Sequence, residues 1–490
     1  MKFAVVGGGW AGMAAADTLV QAGHTVTVFE LAHQLGGRAR GLQDPALGCI
    51  DNGQHLLIGA YQQTLRLIAS AHGEYASTAR PFVRQPLSLR SANGSLHLHI
   101  PSWPSGSLGR LIALATARGL SLVERWQAIR LLANLRLGRA WPGSLQTVSQ
   151  WLDQHRQAES LQSAMWIPLC LATMNTPPEA ASAELFAKVL KDSLLASDSG
   201  ATDLIIPACD LTRLWIDVVA ARVEVVYGTR VQRVTPSPFA EKRVDSSTSK
   251  CVAGVEIESR RFDGCVIATP PSGALHIVQN WLNSSDASIR AGEHHNTQRS
   301  ERLVKALAEF SFLPITTCYM ELTSPLHLPY PMLMLRSGHP PCDDRSAAPG
   351  QWVFDRNAID TSPETPARLA FVISHAGQED LNRHTLPEIL LQQLLAELSR
   401  QPSLSAWSSP EPPKIRASRI ITDKRATFAA TPGLERPEVH TDWPCIKLAG
   451  DWTDTGYPAV LEGAVISGIT AANALMKSSA ASNSAQARTA

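Results

Sequence analysis

The chain has 490 residues, of which 44% are hydrophobic and 18% charged, the composition of a soluble globular protein with ample material for buried cores. At about 100–200 residues per domain it should form two or three domains. Its 44 basic and 43 acidic side chains leave no global field to draw nucleic acid, so any electrostatic binding must be local.

The first segment, MKFAVVGGGWAG, has too short an apolar stretch before its glycines to be a signal peptide, so the mature protein is expected to begin here. No run of about 18 uncharged apolar residues occurs, so no membrane-spanning helix is expected. The cysteines (Cys49, Cys170, Cys209, Cys251, Cys265, Cys318, Cys342, Cys445) are scattered without a CxxC spacing. That argues against zinc and a disulfide framework and fits a reducing, cytoplasmic compartment.

Phe3 to Val6 reads as a buried strand, followed at once by Gly7-Gly8-Gly9-Trp10-Ala11-Gly12 and an Ala-rich helix ending near Gly23. The next strand, Thr25 to Phe29, ends on Glu30. Strand, GxGxxG turn, helix and a later acid form the fingerprint of a dinucleotide site. Gly7 permits the tight turn, Gly9 lets the backbone approach a pyrophosphate, Gly12 lets helix and strand pack closely, and the helix N-terminus offers free N–H groups. Glu30 would accept from both ribose hydroxyls and repel a 2′-phosphate, which disfavours NADP.

A second glycine turn, Gly36-Gly37-Arg38, could run past the pyrophosphate and present Arg38 to it, or it could be a surface loop. Asp51-Asn52-Gly53-Gln54-His55 could bring backbone against a flat aromatic ring, or be a plain turn. Pro86 to Ile100 alternates as strands do. His97 and His99 share one face but have no local carboxylate or cysteine, so an exposed strand face is the expected reading.

Leu108 to Ala140 is helical, with Leu122, Trp126, Ile129 and Leu132 on one stripe. It carries Arg110, Arg118, Arg125, Arg130, Arg136 and Arg139 against Glu124 alone. The segment could rest on an anionic membrane surface or be a helix pair with a solvated basic face. Helices continue through 145–197, broken at Thr176-Pro177-Pro178. Val223 to Val234 returns to a β pattern, and Cys251 to Ala268 closes on Thr269-Pro270-Pro271, where the chain should re-enter the nucleotide-binding sheet. The polar stretches Pro236–Lys250 and Ser284–Arg299 should be loops. Ile315–Leu322, Met332–Leu335, Gln351–Phe354 and Leu369–His375 suggest a second sheet. Near the end, LAGDWTDTGYPAVLEGAVISG (448–468) is another strand running through Gly450-Asp451 into a helix.

The pattern Gly7-x-Gly9-x-x-Gly12 with Glu30, Gly36-Gly37-Arg38 and the terminal Gly450-Asp451 resembles the FAD-dependent amine oxidase and phytoene desaturase superfamily. The segments DNGQHLLIGAY (51–61), WIPLCLATMNTPPEAASAELF (166–186), KRATFAATPG (424–433) and GDWTDTGYPAVLEGAVISG (450–468) look like the hydroxysqualene dehydroxylases of bacterial hopanoid synthesis. The resemblance covers most of residues 1–475 and weakens in the two polar loops and after Lys477.

It implies an α/β protein: a discontinuous Rossmann-like FAD-binding domain with an inserted α+β substrate domain. The FAD domain would take residues 1–80, 205–275 and 441–476, the substrate domain 81–204 (largely helical) and 276–440 (mixed sheet), and 477–490 would be a flexible tail. It implies FAD held by Gly7, Gly9, Gly12, Glu30, Gly36, Gly37, Arg38, Gly53, Gln54, Val231, Gly450, Asp451, Val460 and Leu461. Asp451 would meet the ribityl or phosphate region, and the helix beginning near Val460-Leu461 would point at the ring's N1–C2=O edge.

In such a family reduced FAD delivers hydride to hydroxysqualene, an isoprenoid lipid, and the hydroxyl leaves as water; an unidentified reductant recharges the flavin. A proton is needed for the departing oxygen, and His55, Asp51 and Tyr457 are the candidates. A carotenoid-type desaturase would run electrons the other way, and an isoprenoid-binding escort protein would use no redox chemistry. The cysteine pattern places the protein in the cytoplasm, with peripheral contact to the inner membrane surface through the basic segment 108–140 as an option.

Overall fold

The computed structural model describes residues 1–72, 82–101, 103–104, 106–207, 209–240, 251–282, 297–326, 328–336, 348–357, 367–376, 381–401 and 411–488. Of the two polar stretches, 241–250 and 284–296, with His294 and His295, lie outside them. What flanks the gaps is regular: Thr235–Ala240 pairs antiparallel with Cys251–Ile257, and 297–299 open the helix Thr297–Ala308.

Five short strands form one parallel sheet in the order Glu224–Val226, Thr25–Phe29, Lys2–Val6, Gly264–Ile267, Ile446–Leu448. The Val, Ile and Phe side chains of the three inner strands are buried on both faces, as a sheet covered by helices on each side requires. These strands come from three distant stretches of chain. After Lys2–Val6 the chain moves to one side, while Gly264–Ile267 joins on the other, so a crevice opens at their carboxyl ends. Of the β pattern expected over 223–234, Glu224–Val226 is strand.

Helix-on-helix packing brings the two ends of the chain together. The helix Leu461–Arg488 crosses Trp10–Gln21 so closely that a Cβ on Gly468 would lie 2.1 Å from the Ala11 carbonyl oxygen and 3.0 Å from the Ala15 nitrogen. Buried Ala14, Ala15, Ala471 and Ala472 continue this small-residue seam. Because the obstacle is helix backbone, Gly468→Val should lower unfolding free energy by about 2 kcal/mol or more, read as a fall in thermal midpoint. The helix runs to Arg488, through most of the stretch expected to be a flexible tail. Beyond Gly468 that stretch holds neither glycine nor proline and is rich in alanine, so nothing local stops the helix.

An antiparallel sheet orders Met332–Met334, Trp352–Asp355, Arg368–Ser374, Phe312–Leu322 and Ile415–Phe428. The first four match expected runs. The fifth escapes a sequence reading because IRASRIITDKRATF is half-covered and heavily charged for most of its length. The helical layer holds Gly106–Ala115, Leu122–Arg136, Val148–Gln154, Ile167–Met174 and Ala183–Asp192. Ser121 and Glu124 close a capping box on the second of these, and Asn175, at φ 50°, ends the fourth just before the Pro177-Pro178 break.

The stripe read over Leu122, Trp126, Ile129 and Leu132 divides in the fold. In Leu122–Arg136 the buried face is Ala128, Leu131, Leu132 and Leu135. Leu122 and Trp126 are exposed and point outward, while Leu132 packs inward. His97 and His99 lie on a strand paired with Ser88–Arg90, beside Arg90 and the Tyr330 ring. Among the described residues no group of three or more His, Cys, Asp or Glu gathers as a metal ion would need.

Candidate functional site

At the crevice the Gly7–Gly12 turn is fixed by backbone. Gly7 has φ 108°, and a Cβ there would lie 2.6 Å from the Ala268 carbonyl oxygen; one on Gly12 would meet the Gly7 oxygen at 1.9 Å. The strand that ends in Ala268-Thr269-Pro270-Pro271 thus re-enters against the glycine turn. Gly9 differs. Nothing comes nearer to its built Cβ than the Gly37 Cα at 3.9 Å, so the chain itself does not demand glycine there, and the open space suits a ligand that comes close to backbone. Gly9 caps Trp10–Gln21 without a side-chain bond, leaving first-turn N–H groups for an anion.

The second glycine turn lies on the first: Gly36 N–H donates to the Gly8 carbonyl at 2.8 Å, and Trp10 Nε1 donates to the Ala39 carbonyl at 2.8 Å. Glu30 accepts from Gly8 N–H at 2.6 Å and Ala32 N–H at 2.8 Å, one on each oxygen. A carboxylate has about four acceptor positions, so two remain for hydroxyl donors. Val231 is buried in the loop after Glu224–Val226, the strand whose Val226 carbonyl accepts from Glu30 N–H at 2.9 Å.

Arg38 links the two strand-to-helix motifs. Its guanidinium donates to Asp451 Oδ1 at 2.7 Å and to the Ala426 carbonyl at 2.8 Å. The Asp451–Tyr457 loop is held by a residue the sequence did not single out, Arg436. That side chain donates to the carbonyls of Asp451 at 2.7 Å, Tyr457 at 2.6 Å and Thr453, and stacks 4.9 Å from the Phe428 ring centroid. Burial pulls its pKa down to about 10, which still leaves it charged at neutral pH. A Cβ on Gly450 would strike the Trp452 indole at 2.2 Å.

Val460 and Leu461 stand at the start of the terminal helix, where Glu462 reaches across to Gln63 N–H and Thr64 N–H, both at 2.9 Å, and Thr64 Oγ1 at 2.7 Å. Glu462 thereby caps the helix Gln62–His72 from 400 residues away in sequence, roughly. Burial raises its pKa against those three hydrogen bonds.

The structure separates the three candidate proton carriers into two groups. Asp51 accepts from Leu211 N–H at 2.9 Å and faces Arg356 at 3.4 Å; burial raises its pKa despite that cation. Gly53, at φ 100°, and Gln54 follow, with Gln54 tied to Thr317 Oγ1 at 3.3 Å and to Arg356 at 3.2 Å. His55 Nδ1 lies 2.9 Å from the Gly53 carbonyl, and burial lowers its pKa. A neutral ring with Nδ1–H given to that carbonyl carries no proton on Nε2, so His55 is an acceptor.

Tyr457 belongs to the second group. Its hydroxyl donates to Asp192 Oδ2, and Lys188 Nζ is 2.5 Å from the same oxygen and 5.0 Å from the Tyr457 ring centroid. Burial, then Asp192, push the phenol pKa up. Lys188 and Asp192 lie on Ala183–Asp192, one turn apart, so a single helix face delivers both to the loop. No motif marks them in the sequence.

A model of the family described as flavin containing amine oxidoreductase matches residues 10–476. Among curated relatives, the hydroxysqualene dehydroxylase of Rhodopseudomonas palustris is 27% identical over 96% of this chain and 97% of that protein. The hydroxysqualene dehydroxylase of Sinorhizobium fredii is 24% identical, with the same coverage. Among solved structures, cyclohexylamine oxidase from Brevibacterium oxydans superposes with a TM-score of 0.61 at 16% identity, covering 97% of this chain and 98% of that one.

Proposed function

This chain belongs to the flavin-containing amine oxidoreductase family, and we propose that it reduces hydroxysqualene to squalene with loss of water. It is an oxidoreductase with FAD as its cofactor. When bound and reduced, FAD supplies the hydride for the allylic carbon. The open cradle over Gly9, the uncapped helix N-terminus and the spare acceptors of Glu30 fit an adenine dinucleotide. We assign Gly7, Gly9, Gly12, Gly36, Gly37 and Arg38 to its pyrophosphate, Glu30 and Val231 to its adenosine end, Gly450 and Asp451 to its ribityl end, and Gly53, Gln54, Val460 and Leu461 to the ring.

Departure of a hydroxyl as water consumes one proton, which neither a desaturation nor an amine oxidation asks of its protein. The observation that carries our reading is the Lys188–Asp192–Tyr457 array, a hydrogen-bonded proton store on the loop that leads into the terminal helix. Tyr457 holds its proton well beyond neutral pH because burial and Asp192 raise its pKa. With its O–H turned from Asp192 to the leaving oxygen it can donate there, and Asp192 can then pass a proton from the Lys188 ammonium to the phenolate, leaving Lys188 neutral until solvent reprotonates it. Asp51 and His55 then position rather than protonate: Asp51 anchors Arg356, which holds Gln54, and His55 fixes the Gly53 turn.

The test is anaerobic incubation of reduced enzyme with hydroxysqualene, and separately of oxidised enzyme with squalene or phytoene, followed by mass analysis of products. Squalene from the first and no product from the second is the expected pair. Dehydrogenated polyene from the second and nothing from the first would replace our reading with a desaturase; a colourless protein inactive in both would make it an escort.

A further inference from the structure

Most large apolar side chains left exposed among the described residues fall between Trp103 and Leu145. Two neighbouring helices carry Leu108, Leu111, Leu122, Val123 and Trp126, and Leu137 caps the second. Gly106–Ala115 and Leu122–Arg136 run antiparallel: Arg136 Nη1 donates to Ser107 Oγ at one end, at 2.8 Å, and Arg125 Nη1 to the Ala115 carbonyl at the other, at 2.9 Å. On the first, Leu108, Leu111 and Ala115 share an exposed stripe at helical spacing. On the second, Leu122 (79% exposed), Trp126 (58%), the half-buried Ile129, Ala133 and Leu137 (63%) form another, opposite the face that packs into the core. Trp103, 85% exposed, stands just before the first helix. The second helix is therefore apolar on two sides, and its own fold accounts for one.

Charge says what covers the other. Arg110 turns inward to the carbonyls of Ala196 and Asp198, and Arg130 bonds the His155 carbonyl and stacks 4.8 Å from the Trp126 ring centroid. Arg118, Arg136 and Arg139 stay exposed around the apolar stripes. Glu124 is the sole acid from Gly106 to Ala140, and it is occupied by Ser121 and Ser160. Leucines and tryptophans rimmed by arginines suit the boundary between acyl chains and anionic headgroups. A second copy of the chain would set the same arginines against each other across a two-fold axis. No helix among the described residues is long and apolar enough to cross a membrane, so this contact is with a surface.

We propose that the Gly106–Ala115 and Leu122–Arg136 pair is a docking face for an anionic phospholipid bilayer, entered by Leu108, Leu111, Leu122, Trp126 and Leu137 and steered by Arg118, Arg136 and Arg139. This does not depend on which lipid the enzyme acts on.

The test is flotation of the full-length FAD-loaded protein with vesicles of phosphatidylcholine alone and of phosphatidylcholine with equal phosphatidylglycerol. The protein should float with the anionic vesicles, less so at high salt. The triple variant Leu122→Ser, Trp126→Ser, Leu137→Ser should partition about tenfold less or weaker still, and Arg136→Gln with Arg139→Gln should lose the preference for phosphatidylglycerol. Flavin absorbance and the thermal midpoint report that the variants are folded; should the triple variant fail there, Leu122→Ser alone must still weaken flotation. Wild-type protein that ignores both vesicles, or variants that float as well as wild type, overturns the proposal. So does a dimer, by light scattering, that the triple variant converts to monomer.

Discussion

Arg436→Ala is expected to purify with little or no flavin, whereas Asp451→Ala should lose flavin while folding almost normally. The difference follows from what each residue holds. Arg436 donates to the carbonyls of Asp451, Thr453 and Tyr457 from one guanidinium. Thr453 also accepts from the Thr455 N–H, so removing Arg436 strips the donor from the Asp451 and Tyr457 carbonyls at about 1–3 kcal/mol each. Among the described residues no other side chain donates to the Asp451 and Tyr457 carbonyls, and lysine, with a single point of charge, cannot reproduce a planar five-donor fork. The loop would therefore move, carrying Gly450 and Tyr457 with it. Asp451 by contrast makes one ion pair, with Arg38, and its loss frees Arg38 without uncapping a backbone. Flavin absorbance per protein and the thermal midpoint check both: Arg436→Ala should lower both readings, Asp451→Ala chiefly the first. An Arg436→Ala protein with full flavin content and an unchanged midpoint would remove Arg436 from the site.

What could be read in the sequence was what local geometry demands. Gly12 is imposed by the Gly7 carbonyl within one strand-turn-helix unit, Gly7 by its φ of 108° in that turn, and Gly450 by its near neighbour Trp452, so a short window carries the signal. The same holds for the parallel strands, whose uninterrupted apolar runs mark burial on both faces. Arg436, Glu462 and Lys188 sent no such signal, because each acts on a partner brought close by tertiary folding. Glu462 looks like an ordinary first-turn acid until Gln62–His72 is laid against it. Asp192 and Tyr457 are 265 residues apart. The outward stripe at Leu122 and Trp126 shows the opposite failure: periodicity reported a real apolar face but carried no information on whether protein or something else covers it. Gly468 was within a quoted motif, yet its reason, the Ala11 carbonyl, lies at the other end of the chain.

The second large effect concerns the proton. Tyr457→Phe is expected to reduce turnover of hydroxysqualene by about 10²–10⁴-fold with flavin content unchanged, the usual range for a lost general acid. Asp192→Asn should cost less, since the phenol keeps its proton but loses its route to Lys188. Lys188→Met in the Asp192→Asn background should add little, because residues acting as one unit are not additive. The pH profile separates this array from His55. Burial holds the His55 imidazole below its ordinary value of 6.5, so a histidine acid would fall in activity as pH rises through and beyond that point. The Tyr457 phenol is displaced upward from 10.0, first by burial and then by Asp192, so its proton is retained and the rate should stay level from about pH 7 to 9. A rate declining across that window, together with an active Tyr457→Phe enzyme and an inactive His55→Ala enzyme that still binds FAD, would return the proton to His55. A level rate with loss at Tyr457 would place the acid on the loop that Arg436 holds, and would make the helix Ala183–Asp192 part of the catalytic apparatus.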